Sequence, residues 1–186
     1  GYSDSITLSC LIQHFKPERI IEVGSGYSSA LMMDVNNIAM RNNISLEFIE
    51  PYPEERLNNI IKQNTGYNLI KDFVQNIPLE FFMQLQSNDI LFIDSSHVGK
   101  FGSDVLYLLF NVLPILTKGV IIHFHDVFYP FEYPHTWLKK GRYWNESYYL
   151  RSLLMYNTHF EILFFSSYLE KKYMEWYTEN MPKCLI

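Results

Sequence analysis

The chain has 186 residues, of which 48% are hydrophobic and 17% aromatic, so it is long enough for one domain with a substantial core and short for two. Its 15 basic and 20 acidic residues give a formal net charge of -5, and no cluster of Lys and Arg is present to follow a phosphate backbone. We therefore expect a single domain over residues 1–186 and no nucleic-acid partner.

Signals for a membrane or for secretion are missing from the sequence. The most apolar run, residues 105–116, is interrupted by an asparagine and a proline and is too short to cross a bilayer. The chain does not open with a basic region followed by an apolar one. Cys10 and Cys184 are too few for a disulfide framework. We expect a cytoplasmic protein without a membrane partner; whether native residues lie beyond either end stays open.

Apolar periodicity and turn residues divide the chain into alternating strands and helices. The predicted strands are the apolar runs at residues 19–23, 45–49, 67–74, 89–93, 120–124 and 160–165. The predicted helices cover residues 7–14, 30–40, 54–64, 78–86, 102–116, 146–156 and 169–179. Asn145 is the expected N-cap of the sixth helix. This alternation favours an α/β fold, a doubly wound and mostly parallel sheet with helices on both faces.

A long segment after the fifth predicted strand carries many aromatic side chains. Residues 127–144 contain seven aromatics and show neither a helical nor a strand period. Loops of this length in a compact domain are usually functional or disordered, and the aromatic content favours a lid over a pocket. The aromatic side chains could instead pack on the core or on a partner subunit, so a homo-oligomer remains open.

The first predicted strand leads into a glycine turn. Residues 20–30 read Ile-Ile-Glu-Val-Gly-Ser-Gly-Tyr-Ser-Ser-Ala, an apolar strand, a turn with Gly24 and Gly26, and the start of a helix. Glycines let a ligand approach the main chain, and a helix start presents free N–H groups, so the turn suits a nucleotide-like ligand. The alternative is an ordinary strand-to-helix turn. A dinucleotide fingerprint would place a third glycine where this chain has Ser29.

Polar residues follow each of the first five predicted strands. In open parallel sheets, ligands bind outside the carboxyl ends of the strands. At these ends lie residues 24–29, Glu50, Gln75, residues 94–97 and residues 125–126. We therefore expect one rim of the sheet to collect the candidate site residues.

The glycine turn and Glu50 together resemble the first two motifs of class I S-adenosylmethionine-dependent methyltransferases. The matching stretch is Glu22-Val-Gly-Ser-Gly26, with an acid ending the next strand. The resemblance implies that the turn passes beneath the methionine portion, that the acid holds the ribose hydroxyls, and that residues after the third strand meet the adenine. A carboxylate can accept from both hydroxyls of a ribose. The implied cofactor site comprises Glu22, Gly24, Ser25, Gly26, Ser29, Glu50, Asp72, Gln75 and Asp94.

Two later stretches resemble a narrower branch of small-molecule O-methyltransferases, with sugar-modifying and antibiotic-tailoring members. They are Asp89-Ile-Leu-Phe-Ile-Asp94-Ser-Ser-His97 and Gly119-Val-Ile-Ile-His123-Phe-His125-Asp126. In that branch, an Asp after the fourth strand and two adjacent acids after the fifth hold magnesium. The resemblance therefore implies a divalent cation on Asp94, His125 and Asp126. Because His125 replaces an acid, a softer ion such as manganese, iron or zinc also fits.

The resulting hypothesis is a methyltransferase that acts on a hydroxyl of a small molecule, for example a sugar. The cation would lower the pKa of the hydroxyl, and His97 would remove its proton. Helix capping by Asp94 and Asp126 and a backbone hydrogen bond from His97 are the structural alternatives. Two other functions stay open: an NAD(P)-dependent oxidoreductase and a non-catalytic cofactor-binding protein. Members of this fold usually end with an antiparallel strand beside the fifth, which we expect to be absent or outside this chain.

Overall fold

The computed structural model describes residues 1–53 and 67–185, so the helix predicted at residues 54–64 lies outside the described residues. Its centre is a five-stranded sheet in the order β3-β2-β1-β4-β5, and all pairs are parallel. The strands are β1 Arg19–Val23, β2 Ser45–Ile49, β3 Tyr67–Ile70, β4 Ile90–Ile93 and β5 Ile121–Phe124. The prediction of a parallel α/β sheet is confirmed.

Helices connect the strands and follow the sheet. They are α1 Tyr2–Phe15, α2 Tyr27–Ile38, α3 Leu79–Phe82, α4 Asp104–Tyr107, α5 His135–Lys139, α6 Glu146–Leu154, α7 Ser166–Lys172 and α8 Met174–Asn180. After α4 the chain continues helically through a π turn at Leu108–Val112 and a 3-10 turn at Leu113–Ile115. Further 3-10 turns lie at Val74–Asn76 and Pro182–Leu185.

The sheet is buried on both faces, as a doubly wound fold requires. Successive residues of a strand point to opposite faces, so Ile20 and Ile21 belong to different core clusters. One cluster joins the sheet to the helical segment 104–115, and the other joins it to α1 and α2. Met32 and Met33 of α2 are buried in the second cluster, where they fill core space.

The structure corrects several predicted elements. β3 ends at Ile70 instead of residue 74, because the Asp72 carboxylate turns the chain by accepting from the backbone N–H of Phe73 at 2.7 Å. The predicted strand at residues 160–165 is wrong: within the described residues, β5 pairs only with β4, and the side chains of Ile162 and Leu163 are exposed. An apolar run without a period does not by itself specify a strand.

Later in the chain, α6 begins at Glu146 with Asn145 at the N-cap position, as predicted, and ends at Leu154 instead of residue 156. The Asn145 side chain does not bond to the helix; its amide bonds to the backbone of Gly99. The helix predicted at residues 169–179 is two helices, α7 and α8, separated at Tyr173. The segment 127–144 is largely irregular, but it contains the short helix α5.

The glycine turn brings the ends of β1 and β4 together. Gly24 has φ +83°, a left-handed conformation, and a Cβ placed on it would lie 1.8 Å from the carbonyl oxygen of Asp94. Backbone hydrogen bonds run from Gly24 to the carbonyl of Ile49 at 3.0 Å and from Asp94 to that of Val23 at 2.9 Å. A side chain at residue 24 therefore has no space.

We expect Gly24→Ala to lower the free energy of unfolding by well over the roughly 1–2 kcal/mol that left-handed strain alone costs. Gly141→Ala is the matched control, because Gly141 has φ +80° with no atom within 4 Å of its would-be Cβ. Urea unfolding of both variants measures the difference. Equal losses would mean that the contact with Asp94 does not constrain residue 24.

Candidate functional site

The glycine turn has one packed side and one open side. Gly24 packs against the backbone of Asp94, whereas a Cβ on Gly26 would meet nothing within 4 Å. The N–H of Gly26 donates to the hydroxyl of Ser29 at 3.0 Å, which fixes the first turn of α2. The open space beside Gly26 is where a ligand can approach the main chain.

Glu22 is a buried carboxylate beneath this turn. It is fully buried in β1, and the hydroxyl of Ser29 donates a short hydrogen bond to Oε2. Its other oxygen, Oε1, has no hydrogen-bond partner among the described residues. Burial raises the pKa of Glu22 to about 8, more than the hydrogen bonds from Ser28 and Ser29 lower it. Since an unpaired buried acceptor is costly, Oε1 suits a donor or cation from a ligand.

Glu50 lies beside the turn at the end of β2. Its carboxylate accepts from the N–H of Ser25 at 3.3 Å and from the N–H of Tyr52 at 2.8 Å. The charges of Glu50 and Asp94 both raise the pKa of Glu22. Glu50 and Asp94 thus give this part of the rim a negative field, in which the buried Glu22 keeps its proton up to about pH 8. The Ser25 hydroxyl is buried without a partner in the described structure, so it also has hydrogen-bonding capacity left.

The two residues predicted to follow the third strand differ in what they leave unbonded. The Asp72 carboxylate accepts from the side chain of Asn76 at 2.7 Å in addition to the N–H of Phe73. Both hydrogen bonds stabilise the turn that contains Asp72. Gln75 donates to the carbonyl of Gly102 at 2.8 Å, and its Oε1 is buried without a partner among the described residues. Of the pair, Gln75 has the buried polar atom without a partner.

Tyr52 and Phe73 form an aromatic pair that the sequence prediction missed. Their rings meet edge to face at 5.7 Å between the ends of β2 and β3. Both rings are exposed, at 76% and 46%, so they offer an apolar surface next to Glu50. The only signal in the sequence is an aromatic residue shortly after each of two neighbouring strands.

His97 lies between two carboxylates. Its Nε2 is 3.2 Å from Oδ1 of Asp94, and its Nδ1 is 2.8 Å from Oε2 of Glu146. Burial lowers the pKa of His97, but the hydrogen bonds with Asp94 and Glu146 outweigh this effect and raise it to about 9. Burial raises the pKa of Asp94, yet the bond with His97 and the nearby histidines leave it below its ordinary value. At neutral pH, His97 is an imidazolium with both nitrogens occupied.

Sequence reasoning missed Glu146, which it treated only as the first residue of a helix. Glu146 is 1% exposed and lies 49 positions from His97 in the chain, so no local spacing connects the two. Asp94, in contrast, is 35% exposed and faces the rim. Asp94 and His97 were predicted to share a site, and they do; the catalytic roles given to them stay predictions.

The predicted metal site is not supported. Across residues 1–53 and 67–185, no three His, Cys, Asp or Glu side chains form a group that could hold a metal ion. His125 Nε2 is 3.8 Å from Oδ1 of Asp126, but Asp94 does not complete a set with them, because its carboxylate is directed to His97. The residues present therefore do not fit a divalent cation.

The aromatic lid packs directly on the His97 network. The ring of Trp144 lies 4.1 Å from that of His97, and the Tyr133 hydroxyl accepts from the N–H of Ser147 at 3.1 Å. The guanidinium of Arg142 lies over Trp137 at 4.6 Å. The first part of the lid instead lines an apolar cavity of about 340 Å³ with residues 162–165 and α7. The lid is thus a packed structure that covers one side of the rim.

The parallel sheet, the glycine turn after β1 and the polar rim define a Rossmann-like α/β protein. Residues 21–127 match the family model described as "Methyltransferase domain", which is more than half of the chain. The chain belongs to this methyltransferase family. The matched range contains β2 to β5, the last three residues of β1 and the rim residues from Glu22 to Asp126.

A curated relative matches part of this chain, and its description names no activity. An uncharacterized protein of Archaeoglobus fulgidus is 39% identical over 87 residues, which are 47% of this chain and 39% of the relative. The chain therefore spans well under half of that relative. No helix in the described parts of the chain is long and apolar enough to span a membrane.

We expect Glu22→Gln to change how stability depends on pH. The ordinary pKa of 4.5 applies to the unfolded chain, whereas the folded protein keeps the Glu22 proton up to about pH 8. Between these values the folded state binds more protons, so the free energy of unfolding falls as the pH rises. Glutamine removes this contribution, and the variant should gain stability relative to wild type from pH 5 to pH 8. Urea unfolding across this range tests it; parallel curves would contradict the burial effect.

Proposed function

We propose that this methyltransferase uses S-adenosylmethionine and methylates a hydroxyl of a small molecule. The observation that carries the proposal is the buried Glu22 carboxylate, whose Oε1 is unpaired beneath the open side of the glycine turn. S-adenosylmethionine is a cation at its sulfur and at its amino group, and a desolvated carboxylate favours such charges. The negative field of Glu50 and Asp94 acts in the same direction.

The same charges argue against a nicotinamide dinucleotide. Its pyrophosphate is anionic, and at this turn it would face the carboxylates of Glu50 and Asp94, whose charges already raise the pKa of Glu22. The Gly26 N–H, which could serve a phosphate, already donates to Ser29. An adenosine remains compatible with the rim, because Glu50 can accept from ribose hydroxyls while Tyr52 and Phe73 offer ring surface.

His97 is our hypothesis for the base that takes the acceptor's proton. When bound, the cofactor supplies a methyl group on a positively charged sulfur, which a hydroxyl oxygen can attack. To act as a base, His97 has to be neutral, with its proton on Nδ1 toward Glu146. The Asp94 carboxylate must then rotate away, so that Nε2 faces the acceptor.

The acceptor would lie under the lid. Tyr133, Trp137 and Trp144 form connected ring contacts beside His97, and such surfaces pack well on the apolar faces of sugar rings or aromatic compounds. Arg142 adds a positive charge over Trp137 and Trp144. A sugar or glycosylated metabolite suits this combination of ring surface and polar groups.

Calorimetric titration should detect binding of S-adenosylmethionine to the wild-type protein and none of NADH. Glu22→Gln should weaken binding about tenfold or more, because a charge-assisted hydrogen bond to a buried carboxylate contributes about 1.5–3 kcal/mol. Glu47→Gln is the matched control: Glu47 is also a buried strand carboxylate, but it pairs with Arg19 away from the turn. Tight binding of NADH alone would reverse the proposal.

Transfer of a labelled methyl group to a panel of sugars, glycosides and phenols tests the reaction. Below a pKa of about 9, the neutral fraction of His97 grows with pH, so the rate should rise toward pH 9. His97→Ala should lower the rate about 100-fold or more and flatten this profile. A profile unchanged in His97→Ala would rule out the base assignment. A transfer rate that depends on added Mg²⁺ or Mn²⁺ would show that a metal ion takes part in the reaction.

A further inference from the structure

The loop after β4 is held by the start of α6. The N–H groups of Asn145 and Glu146 donate to the carbonyl of His97 at 3.0 and 3.2 Å. The Asn145 side chain accepts from the N–H of Gly99 at 2.6 Å and donates to its carbonyl at 3.2 Å. These four hydrogen bonds, together with the pair between His97 and Glu146, join two segments that are far apart in the chain.

These hydrogen bonds hold His97 in an unfavourable backbone conformation. His97 has φ +57°, a left-handed conformation that costs a non-glycine residue free energy and persists only where its surroundings over-determine it. The Glu146 carboxylate supplies part of that constraint, since it is 1% exposed and lies 2.8 Å from Nδ1 of His97. Its other oxygen is 3.4 Å from the hydroxyl of Ser95. Glu146 thus sets both the position and the orientation of the His97 ring.

The orientation of His97 in turn holds Asp94. With Nδ1 bonded to Glu146, Nε2 points to Oδ1 of Asp94 at 3.2 Å. The Asp94 backbone touches Gly24, so its carboxylate is held at the edge of the glycine turn. We propose that Glu146 is a positioning residue of the methyltransferase site: through His97 it places the Asp94 carboxylate beside the cofactor. The inference rests on the proposed function.

Glu146 lies beyond residues 21–127, the range that matches the family model. α6 therefore contributes to the site from outside the matched range. The surrounding contacts explain why this residue has to be a glutamate. A neutral side chain of the same shape keeps one acceptor oxygen but loses the charge that attracts the His97 N–H.

The test is a double-mutant cycle in S-adenosylmethionine affinity, measured by calorimetry and therefore independent of the acceptor. We expect Glu146→Gln to raise the dissociation constant roughly tenfold. His97→Asn should raise it by a similar factor, and the double variant should match His97→Asn alone, because Glu146 acts through His97. Additive effects would overturn the proposal. So would a Glu146→Gln protein with a lowered melting temperature but unchanged affinity, which is the result of a purely structural role.

Glu132→Gln is the matched control, because Glu132 is a carboxylate of the lid that accepts from the Tyr148 hydroxyl and does not contact His97. Its affinity should equal that of wild type. If Glu146→Gln fails to fold, Glu146→Asp keeps the charge and shortens the reach to His97. As a measurement on wild type, titration with S-adenosylmethionine should shift the NMR signals of the His97 ring, and unshifted signals would overturn the inference.

The outcomes separate this inference from the proposed function. A wild-type protein that does not bind S-adenosylmethionine defeats both. A wild type that binds, together with a folded Glu146→Gln variant of equal affinity, defeats only the role of Glu146.

Discussion

The close approach of β1 to β4 is the constraint on which the site depends. Gly24 lies against the Asp94 carbonyl, where no side chain fits, and this contact places the glycine turn and the end of β4 side by side. Because both strands are central in the sheet and buried on both faces, their ends cannot shift independently. The Glu22 carboxylate, the open side of Gly26 and the Asp94 carboxylate are therefore held in one small region. A ligand that binds there meets groups that are already in place.

Negative groups outnumber positive ones in this region. The imidazolium of His97 lies between the carboxylates of Asp94 and Glu146, so this trio carries one net negative charge at neutral pH. Glu22 and Glu50 are two more carboxyl groups around the glycine turn. Burial and the neighbouring negative charges raise the pKa of Glu22. Proton uptake by Glu22 relieves the repulsion in the free protein. A cationic ligand offers a second way to relieve it, which links the protonation of Glu22 to cofactor binding.

The parts of the fold and of the site that depend on residues close together in the chain could be predicted from the sequence. β1, β2, β4 and β5 are short, mostly apolar runs, as strands covered by helices should be, and their ends mark the rim. The run at residues 160–165 is also mostly apolar, but it pairs with no strand among the described residues and its residues 162–164 are exposed; composition does not distinguish the two situations. Glu146 could not be found at all, since only folding brings it to His97. The metal set has no support in the described residues for a related reason: nothing in the spacing of Asp94, His125 and Asp126 shows that Oδ1 of Asp94 lies against His97.

The bond between His97 and Asp94 also limits the chemistry that the site can perform. While His97 donates to both carboxylates, it has no lone pair for an acceptor, and Asp94 has a pKa too low for a strong base. Proton removal therefore requires a change in this pair, either loss of the His97 proton or rotation of Asp94. Trp144 covers the His97 ring, so entry of an acceptor beneath the lid necessarily disturbs the same contacts. In the proposed reaction, acceptor binding and activation of the base are therefore coupled through one buried ring.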